Sequence, residues 1–147
     1  MTLPLLQPQR RGAIAVIPRN NRLLVIRRSA HVVAPRAYCF PGGGIEAGET
    51  ESEALIRELD EELGVPVRPV RRLWRSVTAW HVNLVWWLAD LPATAELFPN
   101  PQEVESASWL TVEEMAQLPE MLPSNHDFLA ALAAGEFEIE GIMPSPD

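Results

Sequence analysis

Residues 43–65 read Gly-Gly-Ile-Glu-Ala-Gly-Glu-Thr-Glu-Ser-Glu-Ala-Leu-Ile-Arg-Glu-Leu-Asp-Glu-Glu-Leu-Gly-Val. The pattern predicts a glycine-rich turn that leads into a helix. Thr50 and Glu53 fit a capping box at the helix start, and Gly64 followed by Pro66 marks its end. The other elements of the chain are interpreted around this loop and helix.

Three carboxylates project from one face of this helix, because Glu58, Glu61 and Glu62 are spaced i, i+3 and i+4. Their repulsion costs about 0.2–0.5 kcal/mol per exposed pair, and more where water is excluded. A divalent cation is the simplest partner that offsets this cost. Oxygen-only ligands favour a hard ion, Mg²⁺ or Mn²⁺.

The same helix has an apolar stripe that predicts packing against a core. Its members are Leu55, Ile56, Leu59 and Leu63. On a helical wheel Glu58 and Glu62 lie beside this stripe, so we expect them to be partly shielded from water. An entirely exposed acidic helix would not place them there.

The composition indicates one compact domain over residues 1–147, with residues of about 1–10 and 136–147 as extended or poorly ordered tails. The single cysteine and the absence of a membrane-length apolar run predict a cytoplasmic protein with no membrane partner. Residues 1–45 carry a charge of +7, residues 46–62 carry −7 and residues 63–147 carry −8. This distribution favours a cleft that attracts both a metal ion and an anion.

Strands and helices alternate in a way that predicts a mixed α/β fold. We expect a buried strand at Gly12–Ile17, a strand at Arg22–Arg28 that pairs back on it, and an antiparallel pair at Val70–Thr78 and His81–Leu88. Ser124 is expected to cap the last helix, which Gly135 closes.

These residues resemble the Nudix hydrolase family, whose signature is G-x5-E-x7-R-E-U-x-E-E-x-G-U, with U a bulky apolar residue. Every fixed position is matched without gaps, by Gly43, Glu49, Arg57, Glu58, Leu59, Glu61, Glu62, Gly64 and Val65. Outside this box the chain is most similar to the MutT branch. The resemblance implies an α/β/α sandwich with a mixed central sheet.

The resemblance also implies Mg²⁺-dependent (or Mn²⁺-dependent) hydrolysis of a nucleoside diphosphate linked to another group. Bound metal offsets the charge of the pyrophosphate and acidifies a water. The family's metal ligands fall on Gly42, through its carbonyl, and on Glu58, Glu61 and Glu62. The general base stays open: Glu58 either orients or deprotonates the water, and Glu103 matches a loop glutamate that reaches the metal, with Glu105 as a rival.

By the same resemblance, Arg57 and Glu49 form an ion pair that clamps the glycine loop to the helix, with Gly43 and Gly64 as structural glycines. Breaking a buried pair of this kind costs several kcal/mol, whereas an exposed pair contributes little.

Three residues outside the box are predicted to contact substrate. Arg28 suits phosphate oxygens, Trp80 can stack on a base, and Asn125 matches the MutT position that reads the purine edge with both a donor and an acceptor. A small-molecule nucleoside triphosphate, with 8-oxo-dGTP as one candidate, is the expected substrate. ADP-ribose or a dinucleotide, and a non-catalytic nucleotide-binding module, are the alternatives. No stable nucleic-acid partner is expected, and a homodimer is an option because many family members dimerise.

Overall fold

A computed structural model describes residues 10–143 of the chain. It contains eight strands and three helices within those residues. The strands are β1 (Arg11–Val16), β2 (Pro18–Arg19), β3 (Arg22–Arg28), β4 (Tyr38–Cys39), β5 (Gly42–Gly44), β6 (Arg68–Val77), β7 (Asn83–Asp90) and β8 (Val104–Leu110). The helices are α1 (Glu51–Leu63), α2 (Val112–Ala116) and α3 (Pro123–Ala133).

The strands form two sheets, one in the order β5-β1-β7-β6 and one in which β3 pairs with β2, β4 and β8. Strand β1 runs parallel to β7 and antiparallel to β5, so the first sheet is mixed. The predicted mixed α/β fold class is confirmed, as is the antiparallel β6–β7 pair.

Two details of the strand prediction are wrong. Strand β3 does not pair along β1, because β1 is already bordered on both sides by β5 and β7. The triple glycine is also not a simple turn, because Gly42–Gly44 is itself a strand on the edge of the first sheet.

Both faces of the first sheet are covered, which explains why β1 is apolar after its first residue, Arg11. Ala13 and Ala15 pack in the cluster that contains the apolar face of α1. Val16 packs on the opposite side, with Trp86 and with Phe128 of α3. The sheet therefore lies between two helices, in the α/β/α arrangement that was expected.

Helix α1 begins and ends where its local sequence predicts. The Thr50 side chain accepts from the Glu53 backbone N–H, the Glu53 carboxylate accepts from the Thr50 N–H, and Gly64 adopts a left-handed conformation at φ 62°. The predicted stripe is wrong at one position: Ile56 is 45% exposed, and Ala54 is buried in its place.

The last helix and the segment after it also differ from the prediction. Leu122 is the N-cap residue of α3 and Pro123 its first residue, so Ser124 is not the cap. Phe137, Ile139 and Ile142 are buried in the core beside Phe128, so these three side chains attach the segment after α3 to the core, where an extended or poorly ordered tail was expected. The expectations for residues 1–9 and 144–147 lie outside the described residues.

Within residues 10–143, no helix is both long enough and apolar enough to cross a membrane.

Candidate active site

Arg57 lies at the centre of a network of hydrogen bonds that joins α1 to the glycine-rich segment. Its guanidinium donates to both carboxylate oxygens of Glu49, at 2.7 and 2.8 Å, and to the Gly44 carbonyl at 2.8 Å. The same group donates to Glu58 at 3.0 Å and to Glu61 at 3.3 Å. A planar guanidinium can make these contacts together because it carries five N–H donors in fixed directions.

This network perturbs the titration of its members. The hydrogen bond from Arg57, together with one from the Glu46 N–H, lowers the pKa of Glu49 from 4.5 to about 2. The contact with Glu49 raises the pKa of Arg57 further above its usual range. The ion pair therefore stabilises the fold above pH 4.5, and the stabilisation is lost as pH falls toward 2.

An Arg57→Lys variant tests the importance of this fork. A lysine ammonium keeps the charge but cannot bind both oxygens of Glu49 while also contacting Gly44 and Glu58. We expect turnover to fall by about 10- to 100-fold, as for other residues that orient metal ligands. Steady-state kinetics measure the loss. Arg68→Lys is the matched control, because Arg68 pairs with Asp90 on the surface. Equal effects of the two variants would argue against the clamp.

Glu62 and Glu58 contact the backbone of the glycine strand. Glu62 is 6% exposed, and its Oε1 accepts from the Gly42 N–H at 2.8 Å. Burial raises the pKa of Glu62 from 4.5 to about 8, although the Gly42 hydrogen bond opposes the shift. Burial likewise raises the pKa of Glu58. A Cβ on Gly43 would lie 2.5 Å from the Glu58 carboxylate, so a glycine is required for this close approach.

Glu103 lies on the loop before β8 and faces the same region. Its Oε2 is buried and has no hydrogen-bond partner among the described residues. Burial is the largest cause of the raised pKa of Glu58 and of Glu62, and Coulombic repulsion from Glu103 adds a smaller upward shift to both. Glu105 instead pairs with Arg27 and Arg36, 3.6 and 3.5 Å away.

The donor set suits a hard divalent cation. Buried, mutually repelling carboxylates with an unpartnered oxygen are costly unless a cation joins them. No three acidic, histidine or cysteine side chains within residues 10–143 already stand at the spacing of metal ligands. Glu58 and Glu61 are instead turned toward Arg57. The assignment of Glu58, Glu61, Glu62 and the Gly42 carbonyl as ligands stays a prediction.

A cavity of about 490 Å³ opens beside these carboxylates. Arg28, Trp80 and Asn125, which are far apart in sequence, all line it. Gly42 and Gly43 line it too, so the cavity adjoins the backbone that Glu62 and Glu58 contact.

The three predicted substrate residues are in different states. Trp80 is 79% exposed at the mouth of the cavity, where its indole face can stack on a planar group. The Arg28 Nε donates to the Val33 carbonyl at 2.7 Å, so part of its fork is engaged. Asn125 is 3% exposed, and its Oδ1 accepts from the Phe40 N–H at 3.0 Å. The amide oxygen thus serves the backbone, which differs from the expectation that Asn125 offers donor and acceptor alike.

Sequence reasoning missed Val33 and Asp127, which also line the cavity. Val33 is an exposed apolar residue at its rim. Asp127 lies three residues after Ser124, so both are on one face of α3, and among the described residues it is the only carboxylate in the lining. That helical spacing was a usable signal, whereas nothing local marks Val33.

The family model for the NUDIX domain matches residues 8–132. The chain belongs to the Nudix family. Among its relatives, the CTP pyrophosphohydrolase of Escherichia coli is 30% identical over 124 residues, covering 82% of this chain and 88% of that protein. The 8-oxo-dGTP diphosphatase of Escherichia coli is 29% identical over 116 residues, covering 77% and 87%.

Longer relatives match over part of their length. NAD-capped RNA hydrolases NudC from Stutzerimonas stutzeri, Chromobacterium violaceum and Deinococcus radiodurans are 28%, 31% and 35% identical, and the match covers 38%, 42% and 39% of each. A solved MutT Nudix hydrolase from Burkholderia pseudomallei has the same fold, with a TM-score of 0.67 and 24% identity over 82% of this chain and 95% of that one.

Two of these relatives are named for their activities, as a CTP pyrophosphohydrolase and an 8-oxo-dGTP diphosphatase. The alternative of a non-catalytic nucleotide-binding module stays a prediction, which a turnover assay tests. Nudix hydrolases generally use divalent metal ions, so the family assignment and the carboxylates described above agree.

Proposed function

We propose that this Nudix hydrolase cleaves a nucleoside triphosphate with the help of Mg²⁺ or Mn²⁺. The base would bind in the cavity near Trp80 and Asn125, and the phosphates would extend toward Gly42 and Gly43. The observation that carries the proposal is that Arg28, Trp80 and Asn125 line one cavity together with the glycines that Glu58 and Glu62 contact.

The end of the cavity near Trp80 suits a planar heterocycle such as a nucleotide base. Trp80 offers an exposed indole face, and stacking of a base on an aromatic side chain contributes about 1–3 kcal/mol. The apolar rim at Val33 and the polar lining at Ser124 and Asp127 add contacts of both kinds. A volume of about 490 Å³ is within the range of small-ligand pockets.

The phosphate end supports pyrophosphate hydrolysis. Glu58, Glu61, Glu62 and the Gly42 carbonyl would hold the metal, with Glu103 as a further oxygen ligand or base. When bound, the metal offsets negative charge and lowers the pKa of a water. Arg57 would orient Glu58 and Glu61 through the hydrogen bonds that it already makes. Arg28 would exchange its bond to the neutral Val33 carbonyl for a phosphate oxygen, since a guanidinium can bind an anionic phosphate through two parallel hydrogen bonds.

Base identity is the finer part of the proposal. 8-Oxo-dGTP and CTP are first candidates, because relatives named for these substrates align with most of the chain. ADP-ribose and dinucleotides such as NAD are the alternative class. A screen of these nucleotides with Mg²⁺ and Mn²⁺, scored by which phosphorus–oxygen bond breaks, tests the proposal. Turnover of ADP-ribose or NAD with none of any triphosphate would overturn it.

An Asn125→Asp variant tests base reading without removing the acceptor that the backbone needs. The carboxylate that replaces the amide would still accept from the Phe40 N–H, but the Nδ2 donors would be lost. We expect the kcat/KM ratio between the preferred base and its competitors to change by about 10-fold or more, in line with the loss of a base contact worth about 1–3 kcal/mol.

Two comparisons make this experiment decisive. Asn125→Ala leaves the Phe40 N–H unsatisfied and is expected to lower the thermal midpoint, so it reports on the structural role of the amide. Trp80→Ala is expected to raise KM for every nucleotide alike. If Asn125→Asp lowered kcat/KM equally for all bases, the residue would not read the base.

The cytoplasmic location, the absence of a nucleic-acid partner and the option of a homodimer remain predictions from the sequence.

A further inference from the structure

The loop after residue 97 forms hydrogen bonds with the C-terminal end of α1. The last four carbonyls of a helix lack partners within the helix. In α1 the Asp60 carbonyl accepts from the Gly64 N–H. The loop supplies the other three donors: the Phe98 N–H to Leu63 O at 2.8 Å, the Asn100 N–H to Glu62 O at 2.9 Å, and the Asn100 Nδ2 to Glu61 O at 3.3 Å.

Asn100 also shapes the turn that leads to Glu103. Its Oδ1 accepts from the Gln102 N–H at 3.1 Å, and its carbonyl accepts from the N–H groups of Glu103 and Val104 at 2.9 and 2.7 Å. Ser29 holds the far side of the turn, donating from its N–H to Glu103 O and from its hydroxyl to Gln102 O. The backbone around Glu103 is thus held from two sides.

The contacts of Asn100 connect two parts of the site that are remote in sequence. Asn100 bonds the backbone of Glu61 and Glu62 on α1, while its turn carries Glu103. The Glu103 Oε2 is buried without a hydrogen-bond partner among residues 10–143. A charged carboxylate is costly to bury unless a cation or a hydrogen-bond donor pairs with it, and the position of Glu103 depends on the loop.

We propose that Asn100 is a positioning residue, which holds the Glu103 carboxylate against the Glu58–Glu62 side of α1 so that both elements bind the same divalent cation. The inference rests on the proposed function for the metal. Asn100 itself touches neither metal nor substrate in this assignment. Its effect on the reaction passes through Glu103.

The test compares Asn100→Ala and Asn100→Asp with Gln102→Ala. Asn100→Asp keeps the acceptor for the Gln102 N–H and loses the donor to Glu61 O, while Asn100→Ala loses both. Gln102→Ala is the matched control, because the Gln102 side chain is exposed in the same loop and forms no hydrogen bond within the described residues. Mn²⁺ binding is measured by electron paramagnetic resonance without nucleotide, alongside the thermal midpoint.

We expect Asn100→Ala to weaken Mn²⁺ binding by about 10- to 100-fold, Asn100→Asp less, and Gln102→Ala not at all. In a Glu103→Gln background, Asn100→Ala should add little further loss, because residues that act through one group are not additive. Unchanged Mn²⁺ affinity in a folded Asn100→Ala protein would overturn the inference, and so would an equal loss with and without Glu103. If Asn100→Ala does not fold, Asn100→Asp carries the same two comparisons.

These outcomes are separable from those of the proposed function. Mn²⁺ binding that depends on Asn100 through Glu103, in a protein that hydrolyses no nucleoside triphosphate, would support the inference and overturn the proposed substrate. Hydrolysis of a triphosphate with Mn²⁺ binding that is indifferent to Asn100 would do the reverse.

Discussion

Glu62→Gln is expected to lower turnover on the order of 10²- to 10³-fold while leaving the protein as stable as the wild type or more stable. A metal contributes several kcal/mol of charge stabilisation to the transition state, and the loss of an anionic ligand removes much of it. Glutamine retains the oxygen that accepts from the Gly42 N–H at 2.8 Å. It also removes a carboxyl group that is costly to bury in its charged form.

The stability difference between the wild type and Glu62→Gln is expected to depend on pH. Burial raises the pKa of Glu62 from 4.5 to about 8, so between these values the folded state holds a proton that the unfolded state has released. The stability of metal-free wild type should therefore fall as pH rises from 4.5 to 8. The glutamine variant lacks this contribution. Its thermal midpoint should exceed that of the wild type by a margin that grows over the same window.

Thermal unfolding in the presence of a chelator, at several pH values, measures this margin, and steady-state kinetics with Mg²⁺ measure the loss of turnover. Asp60→Asn is the matched control, because Asp60 is an exposed acid on the same helix. It should change neither quantity substantially. A Glu62→Gln protein that kept wild-type turnover would refute the assignment of Glu62 as a metal ligand.

Gly43→Ala is expected to lower activity while the fold survives, whereas Gly42→Ala is expected to lower stability. At Gly43, a Cβ would meet the Glu58 carboxylate at 2.5 Å, and this flexible side chain can move away. The fold should survive, but the displaced Glu58 should reduce turnover by about 10- to 100-fold. At Gly42, a Cβ would lie 2.3 Å from the Ala13 carbonyl, in a backbone with φ +145°. The Ala13 carbonyl belongs to β1 and cannot move away unless β1 moves, and the positive φ of Gly42 is unfavourable for alanine.

We expect Gly42→Ala to lower stability by more than about 1–3 kcal/mol, the usual cost of a strained backbone conformation, because the steric clash adds to it. Denaturant unfolding and kinetics on both variants measure the contrast. Gly48→Ala is a useful third variant. Gly48 also has a positive φ, of +84°, but no atom would lie within 4 Å of its Cβ. A Gly43→Ala protein with wild-type turnover would show that Glu58 need not approach the glycine strand.

The features of α1 were predictable because their causes are local. A capping box needs four consecutive residues, and a left-handed cap needs one glycine, so Thr50, Glu53 and Gly64 mark the helix without reference to the rest of the chain. The spacing of Glu58, Glu61 and Glu62 likewise follows from the helical repeat. The same local reasoning failed at Ser124, because the N-cap is Leu122, two residues earlier.

The local sequence pattern could not predict which side chains are buried or which distant residues are in contact. Ile56 and Ala54 exchange places in the apolar stripe because the neighbouring sheet, not the helix, decides which side chain is covered. The exposed indole of Trp80 and the buried amide of Asn125 meet in one cavity although 45 residues separate them. Phe137 and Ile139 alternate with acids as in a strand, yet they lie outside any strand and are buried in the cluster that contains Phe128 of α3.

The residue types of the candidate site could therefore be identified in the sequence, whereas the burial and the hydrogen-bond partners of each group could not. Residue type and helical spacing specify three carboxylates on one face and an arginine among them, because a helix repeats every few residues. Tertiary packing decides that Glu62 is buried against Gly42, that Arg57 donates to four different groups, and that the Glu103 Oε2 is buried without a partner among residues 10–143. These properties depend on desolvation and on backbone groups brought from distant strands and loops, and neither is encoded by neighbours in the chain.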